Sequence, residues 1–363
     1  MILPCAYAAV VRAVQFESFG GSVVVTDRAD PAPPRDGVVI AVESTGLCRS
    51  DWHGWQGHDS DITDLPHVPG HELAGRVAAI GPQVRTFAIG DRVTVPFVCG
   101  CGICSFCAGG DAQVCPDQWQ PGFSGPGSFA ELVAIPRADF NLIALPESVS
   151  MDAAAALGCR FATAYRAVTQ VGAVEPGETV AVFGCGGVGL SIIMIAVARG
   201  ARVVAVDVAP GALAMAESLG AYAAIRSASG SDLAGALREL LPTGADATFD
   251  ALGSIDTCRT AVESLRPRGR HVQVGLLPPA EVGDRASVPM HRVIGLELSI
   301  LGSHGMSARS YPEMLALMAR GHLDPTRLIT RRLTLDEAPS ALETMATNPH
   351  PGVSVIHPFE ATA

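Results

Sequence analysis

The sequence has no run of basic residues. Its 25 lysines and arginines stand against 36 acids, for a net charge of -11. A nucleic-acid partner is therefore not expected, and a small-molecule ligand is. There is no internal repeat and no low-complexity segment. Charged residues make up only 17% of the chain, while 48% is hydrophobic, so large buried cores are expected. At 363 residues the chain is long enough for two domains. Met1 to Val11 is apolar but has no basic n-region, and Arg12 interrupts it. A secretory leader is thus not expected, and the protein reads as cytoplasmic. Arg12-Ala13-Val14-Gln15-Phe16 already begins a strand-like run, so the first ten residues are expected to lie ahead of the folded body. No charge falls between Thr179 and Ala198, which would suit a membrane helix. Gly184, Gly186, Gly187 and Gly189 break that run, so strand, turn and helix are expected instead.

Short β-branched runs fill the first third of the chain, such as Val23-Val24-Val25, Val38-Val39-Ile40 and Arg92-Val93-Thr94-Val95. Glycine and proline separate them, which predicts antiparallel strands. Ser128 to Val133 reads as a further strand. Near Pro146 the pattern changes. Ser150 can cap a helix with Asp152 in its first turn. Strands and helices then alternate to about residue 300, with strands expected at Thr179–Phe183, Arg202–Asp207, Ala247–Asp250 and His271–Gly275. That alternation predicts an α/β chain with a doubly wound parallel sheet. A helix near Pro312–Arg320 and a strand near Val353–Ile356 are expected to return to the first domain, since alone they cannot build a core. The expected domains are 1–155 with a cysteine lobe at 99–115, then 156–299, then the returning 300–363.

Three motifs carry chemistry. Gly184-Cys185-Gly186-Gly187-Val188-Gly189 follows a strand and precedes a helix. Its glycines allow a tight turn and close approach to a pyrophosphate on the helix N-terminus. Asp207 stands 18 residues past Gly189 at the end of the next strand, with no Arg or Lys close behind. Such an acid accepts hydrogen bonds from ribose hydroxyls and repels a 2′-phosphate, so NAD is expected over NADP. The second motif is Cys101, Cys104, Cys107 and Cys115 within fifteen residues. Clustering of this kind favours a closed metal site over disulfides, and spacing alone leaves zinc and an iron–sulfur cluster both open. Cys99 is the odd neighbour, read as a buried or free thiol. The third is Cys48-Arg49-Ser50-Asp51-Trp52-His53 with Gly70-His71-Glu72 about twenty residues on. A thiol and an imidazole suit zinc, and Ser50 and His53 can move a proton. Taken alone, that pair could equally be polar residues at a strand end with His71 on the surface.

Together these motifs resemble the zinc-dependent medium-chain alcohol dehydrogenases. The likeness runs from about residue 12 to the end. It includes Gly70-His71-Glu72-Leu73-Ala74-Gly75, Gly90-Asp91-Arg92-Val93 and Leu157-Gly158-Cys159-Arg160-Phe161-Ala162-Thr163-Ala164-Tyr165. The resemblance implies a GroES-like, mostly antiparallel β catalytic domain and a Rossmann domain. It also implies a catalytic zinc on Cys48, His71 and Cys159, with Glu72 just behind the metal as an occasional ligand. Spacing could not have chosen Cys159 over Cys185 or Cys258. Asp51 would orient the His71 ring. Arg49 would contact the cofactor pyrophosphate, and Thr163 and Val274 would border the nicotinamide. The four-cysteine lobe would hold a second, structural zinc. Relatives often carry an arginine near the C-terminus that reaches the pyrophosphate, but His350-Pro351-Gly352-Val353-Ser354-Val355 has none.

The implied reaction is reversible hydride transfer between a primary or secondary alcohol and NAD, with the hydroxyl proton leaving through Ser50 and His53. By position, Trp55, Phe97 and Trp119 are candidates to line an apolar substrate channel. Relatives suggest a homodimer or homotetramer. Two other readings stand beside this one: a zinc-free quinone or enoyl reductase of the same superfamily, and a non-catalytic nucleotide-binding protein.

Overall fold

The computed structural model describes residues 10–228, 232–277 and 288–360. The expectation for the first ten residues falls almost wholly outside them; the first strand, β1, begins at Val10. The chain divides into two compact units, Met1–Cys159 with Gly305–Ala363, and Arg160–His304.

The first unit is mostly antiparallel. β1 (Val10–Phe16) and β2 (Val23–Ala29) form a pair. A larger sheet is built on β3 (Val38–Leu47) and β4 (Leu73–Ile80), with β5 (Arg92–Thr94), β6 (Leu132–Ile135) and β7 (Ile143–Ala144). Val38, Ile40, Val42, Leu73, Val77 and Val93 are all buried in one core on this sheet. Their alternation along β3 is what a strand with one face on a core requires.

The second unit carries β8 (Thr179–Phe183), β9 (Arg202–Asp207), β10 (Ala223–Arg226), β11 (Ala245–Asp250), β12 (Leu265–Gln273) and β13 (Ser299–Gly302). All pair in parallel, in the order β10-β9-β8-β11-β12-β13. In chain order that is 3-2-1-4-5-6, the doubly wound Rossmann arrangement, with its switch point between β8 and β11. Val180 to Phe183 are all fully buried, as a central parallel strand covered on both faces must be.

The tail contributes β14 (Ile329–Thr334) and β15 (Val353–His357). β15 pairs antiparallel with β3, so the last strand completes the first unit's sheet. Ser150 caps the helix Met151–Ala155, accepting from Ala153 N at 3.2 Å.

Three strands differ from expectation, β11 only in starting at Ala245 rather than Ala247. β6 starts at Leu132 rather than Ser128, because the preceding backbone is bound elsewhere: Gly127, Ser128 and Phe129 donate to Val68, Gly70 and Pro69. β12 begins at Leu265 rather than at His271, running through Pro267 and Gly269 with Arg268 at φ +60. It stops at Gln273 because the next two N–H groups, of Val274 and Gly275, both turn to Asp250 O. Among the described residues no helix is long and apolar enough to cross a membrane; the stretch Thr179–Ala198 is β8, a turn and the helix Gly187–Ala198.

Candidate metal and dinucleotide sites

Cys48 is the N-cap of the helix Arg49–Trp55, and Asp51 is the helix's third residue. The Asp51 carboxylate turns back to accept the Cys48 backbone N–H at 2.8 Å, as the acid of a capping box does. It also accepts from Gly70 N at 3.1 Å and from His71 Nδ1 at 2.9 Å. One buried carboxylate thus fixes both segments. An ionised carboxylate only accepts, so the ring proton sits on Nδ1. That leaves a lone pair on His71 Nε2, which is buried and has no hydrogen-bond partner. Gly70 holds φ +107, and a side chain there would strike Phe129 Cδ1 at 2.5 Å. Glycine before the histidine is therefore a steric requirement.

Cys159 arrives from far along the chain. A Cβ on Gly158 would lie 2.9 Å from Glu72 Cα and 3.1 Å from His71 O, so that backbone packs directly on the histidine segment. Phe97 N donates to Gly158 O at 2.9 Å, and the buried Tyr311 hydroxyl donates to Leu157 O at 2.9 Å. As a result one donor atom from each of Cys48, His71 and Cys159 lies within 4.8 Å of the others. Two sulfurs and an imidazole nitrogen with a free lone pair fit a three-ligand zinc centre. Burial disfavours charge on the His71 ring, but Asp51 and then Cys48 outweigh it and raise the ring's affinity for a proton well above the histidine norm. The same pull favours a metal cation at Nε2.

The Glu72 carboxylate is not in this set of three, though the residue is fully buried beside His71. Ser50 Oγ lies 3.9 Å from Cys48 Sγ. His53 Nδ1 lies 3.0 Å from Nδ1 of His58, an exposed residue that the sequence did not single out. Trp52 packs edge-on against both rings, and the Arg49 guanidinium covers the Trp52 face at 4.1 Å. Of the three channel candidates, Phe97 stands beside His71, ring centres 6.2 Å apart. Trp55 is instead core, packed with Phe16 and Phe129, its Nε1 bound to Gly21 O at 2.8 Å. Trp119 packs against the β3–β4 core. Phe123, which the sequence did not mark, sits 5.1 Å from the His71 ring.

In the cysteine lobe, Cys101 and Cys107 sulfurs lie 3.9 Å apart, and those of Cys104 and Cys115 3.7 Å. Four sulfurs ~2.3 Å from one zinc would have edges of ~3.8 Å. The spacing is too wide for disulfides and too tight to wrap a multi-iron cluster. Backbone N–H groups point at the sulfurs: Cys104 N at Cys101 Sγ (3.3 Å), Cys107 N at Cys104 Sγ (3.4 Å) and Cys101 N at Cys115 Sγ (3.4 Å). Those from Ile103 and Cys104 help pull the Cys101 thiol down to about 6. Cys99 is fully buried, and burial raises its thiol as it does those of Cys107 and Cys115; its sulfur is not among the four that converge.

In the second unit, Gly184 takes φ +89, and a Cβ on Gly189 would fall 1.7 Å from Gly184 O. Only glycine lets the helix approach the strand so closely. A Cβ on Gly186 would meet nothing within 4 Å, so this backbone faces open room for a ligand. Val188 is the second residue of the helix Gly187–Ala198. Asp207 accepts from Cys185 N at 2.6 Å and Ala209 N at 2.8 Å, one bond to each oxygen. Each oxygen keeps acceptor capacity for a ribose hydroxyl. Thr163 is 6% exposed in the helix Arg160–Arg166, and its Oγ1 has no partner. Val274 follows β12, its N–H held by Asp250 O. Cys185 and Cys258, the other possible third ligands, are buried thiols of this unit; burial and then Asp207 push Cys185 up to about 12.

Comparison with known proteins agrees with this geometry. The family model for the alcohol dehydrogenase GroES-like domain matches residues 34–147, and that for zinc-binding dehydrogenase matches residues 187–320. The chain is 36% identical over 341 residues to a protein of Mycobacterium tuberculosis named "Probable zinc-binding alcohol dehydrogenase", covering 90% of this chain and 83% of that one. It is 31% identical over 326 residues to L-threonine 3-dehydrogenase of Cronobacter sakazakii, covering 88% and 92%. A Sinorhizobium meliloti 1021 protein solved bound to NADP superposes with a TM-score of 0.85 at 27% identity, covering 97% of this chain and all of that one.

Proposed function

The chain belongs to the zinc-binding alcohol dehydrogenase family, and on that premise we propose that it is NAD-dependent and interconverts a primary or secondary alcohol with its aldehyde or ketone. At the coarser level it is an oxidoreductase of the zinc-binding medium-chain dehydrogenases. The observation that carries the finer reading is the convergence of Cys48, His71 and Cys159 around a histidine nitrogen with no other partner.

Bound zinc supplies Lewis acidity that makes a hydroxyl acidic near neutral pH, and NAD supplies the hydride acceptor. Cys48, His71 and Cys159 hold the catalytic ion, and Asp51 keeps the His71 ring turned to it. Ser50 stands beside the ligand sulfur, where it can take the proton of the reacting hydroxyl. His53, with exposed His58, passes that proton to water. Phe97 and Phe123 flank His71 with apolar surface, which favours a substrate apolar at its reacting end. Cys101, Cys104, Cys107 and Cys115 hold a second ion that only stabilises their loop. The glycine loop and Asp207 bind the dinucleotide, and the Asp207 charge selects NAD over NADP by repelling a 2′-phosphate. We further infer a homo-oligomer. β13 is the edge of its sheet, and Ile294 and Ile300 are exposed near it.

The test is a panel of alcohols and carbonyls with purified protein and NAD or NADP, reading reduced nicotinamide, beside metal analysis. Turnover with NAD and two zinc ions per chain support the proposal. Turnover of quinones or enones by protein without zinc would replace it with the reductase reading.

A further inference from the structure

We propose that Asp250 is a positioning residue for the nicotinamide half of the cofactor: it fixes the two loops, at the carboxyl ends of β11 and β12, that receive that half. The proposal rests on the dinucleotide reading above and adds a residue to it.

In a doubly wound sheet a dinucleotide lies across the carboxyl ends of the strands, one mononucleotide on each side of the switch point. Asp207 ends β9 on one side, the adenosine side of that reading. The loops after β11 and β12 lie on the other side, which leaves them the nicotinamide. Asp250 is the last residue of β11 and pairs with Phe183, the residue before the glycine turn. It holds both loops. Its Oδ1 accepts from Leu252 N and Gly253 N, each at 2.9 Å. Its backbone oxygen accepts from Val274 N at 3.0 Å and Gly275 N at 2.8 Å. The loops also meet directly: a side chain on Gly253 would run into Leu276 O, and one on Gly275 into Gly253 N.

A buried chain of fixed polarity makes the carboxylate necessary. Asp250, Thr248 and His271 are fully buried. Gly275 O can only accept, so the Gln273 amide aims its NH2 at that oxygen, at 2.8 Å, and at Asp250 Oδ2, at 3.1 Å. Gln273 Oε1 then faces His271 Nε2 at 3.1 Å, so Nε2 carries the ring proton. His271 Nδ1 is left to accept from the Thr248 hydroxyl at 3.0 Å. The chain needs a ring with one proton, and burial of His271 disfavours a second. At its other end the chain needs a group that only accepts, and a carboxylate is one. Asparagine keeps the shape. With its oxygen on Leu252 and Gly253, however, its NH2 meets the Gln273 NH2, donor against donor; turned round, Leu252 and Gly253 lose their acceptor. Either way a loop is released. A loop that holds its geometry only part of the time lowers the apparent affinity for whatever it binds by that fraction.

The experiment compares the purified full chain with its Asp250→Asn variant. NADH binding is followed by fluorescence and ADP-ribose binding by calorimetry. ADP-ribose keeps the cofactor up to the second ribose and lacks the nicotinamide ring. The expected result is a rise of roughly tenfold or more in Kd for NADH, against less than roughly threefold for ADP-ribose. A merely structural role would weaken both alike, so an equal rise overturns the proposal, as does an unchanged Kd for NADH. If the unsubstituted protein binds neither ligand, the dinucleotide reading falls and the proposal with it; if it binds both and the variant shows no selective loss, the proposal alone falls. Should Asp250→Asn not fold, Gln273→Met carries the test, since it keeps the length of the side chain and removes its bonds to Asp250 and Gly275 O. It should raise the Kd for NADH by roughly threefold or more and spare ADP-ribose, and full NADH affinity in that variant overturns the proposal.

Discussion

Replacing Asp51 with asparagine isolates what holds the catalytic centre together. The side chain keeps its size, and the site is 2% exposed, so the packing survives. One carboxylate oxygen now serves Cys48 N, the other Gly70 N and His71 Nδ1. Asparagine has one oxygen and one NH2. If the oxygen stays with Gly70 and His71, the NH2 meets the Cys48 N–H, donor against donor; turned round, two donors lose their acceptor. A buried donor left unmet costs about 1–3 kcal/mol. The negative charge behind His71 also disappears, which lowers the basicity of Nε2. Loss of such a partner weakens metal binding by about 10- to 100-fold, or about 1.4–2.8 kcal/mol. Zinc affinity would be measured by chelator competition, and thermal unfolding with and without zinc. A folded Asp51→Asn protein whose zinc affinity stays within roughly twofold of the original would refute this account of the site.

Four further outcomes are expected. His53→Gln should slow turnover by roughly tenfold or more, most at low pH, where no other base takes the proton; an unaltered pH–rate profile counts against the relay. Gly189→Ala drives a methyl to within 1.7 Å of Gly184 O, so it should cost about 3 kcal/mol or more in denaturant unfolding and abolish NADH binding; a normal midpoint would contradict the packing. Stripping the cysteine lobe with Cys104→Ser should lower the unfolding temperature and one zinc per chain while Cys48, His71 and Cys159 keep theirs, as metal analysis would show. Asp152 ties together Ser44, Arg332 and His357 at 3.0, 2.9 and 2.7 Å. His357 foremost lowers its carboxyl from 3.8 to about 2, and Asp152 in turn raises His357 above 6.5. The carboxylate's share of stability is present above its unfolded value and lost as pH falls toward about 2; the histidine's is full below 6.5 and fades as pH rises through its raised value. Asp152→Asn should thus cost on the order of 1–2 kcal/mol near pH 5, a gap that closes toward pH 2 in acid unfolding curves.

Much of the molecule was legible in neighbouring residues. β8 and β9 fall at Thr179–Phe183 and Arg202–Asp207 as expected, because a buried parallel strand is a continuous apolar run ended by glycine or a functional acid. The four lobe cysteines converge because ligands a few residues apart share one loop. Ser150 caps its helix from its own position in the chain. In each case the physics acts over one turn or one strand.

What the tertiary structure alone decided is which distant parts meet. Spacing could not rank Cys159 above Cys185 or Cys258; the packing of Gly158 on the His71–Glu72 backbone does. Phe97 and Phe123, and not Trp55 or Trp119, flank the histidine, because aromatic residues look alike in sequence whether they line a site or fill a core. Gln273 on Asp250, and His58 beside His53, were invisible for the same reason. Hydrophobic period and turn chemistry are written residue by residue, whereas the meeting of remote side chains follows only from how the whole backbone closes on its core.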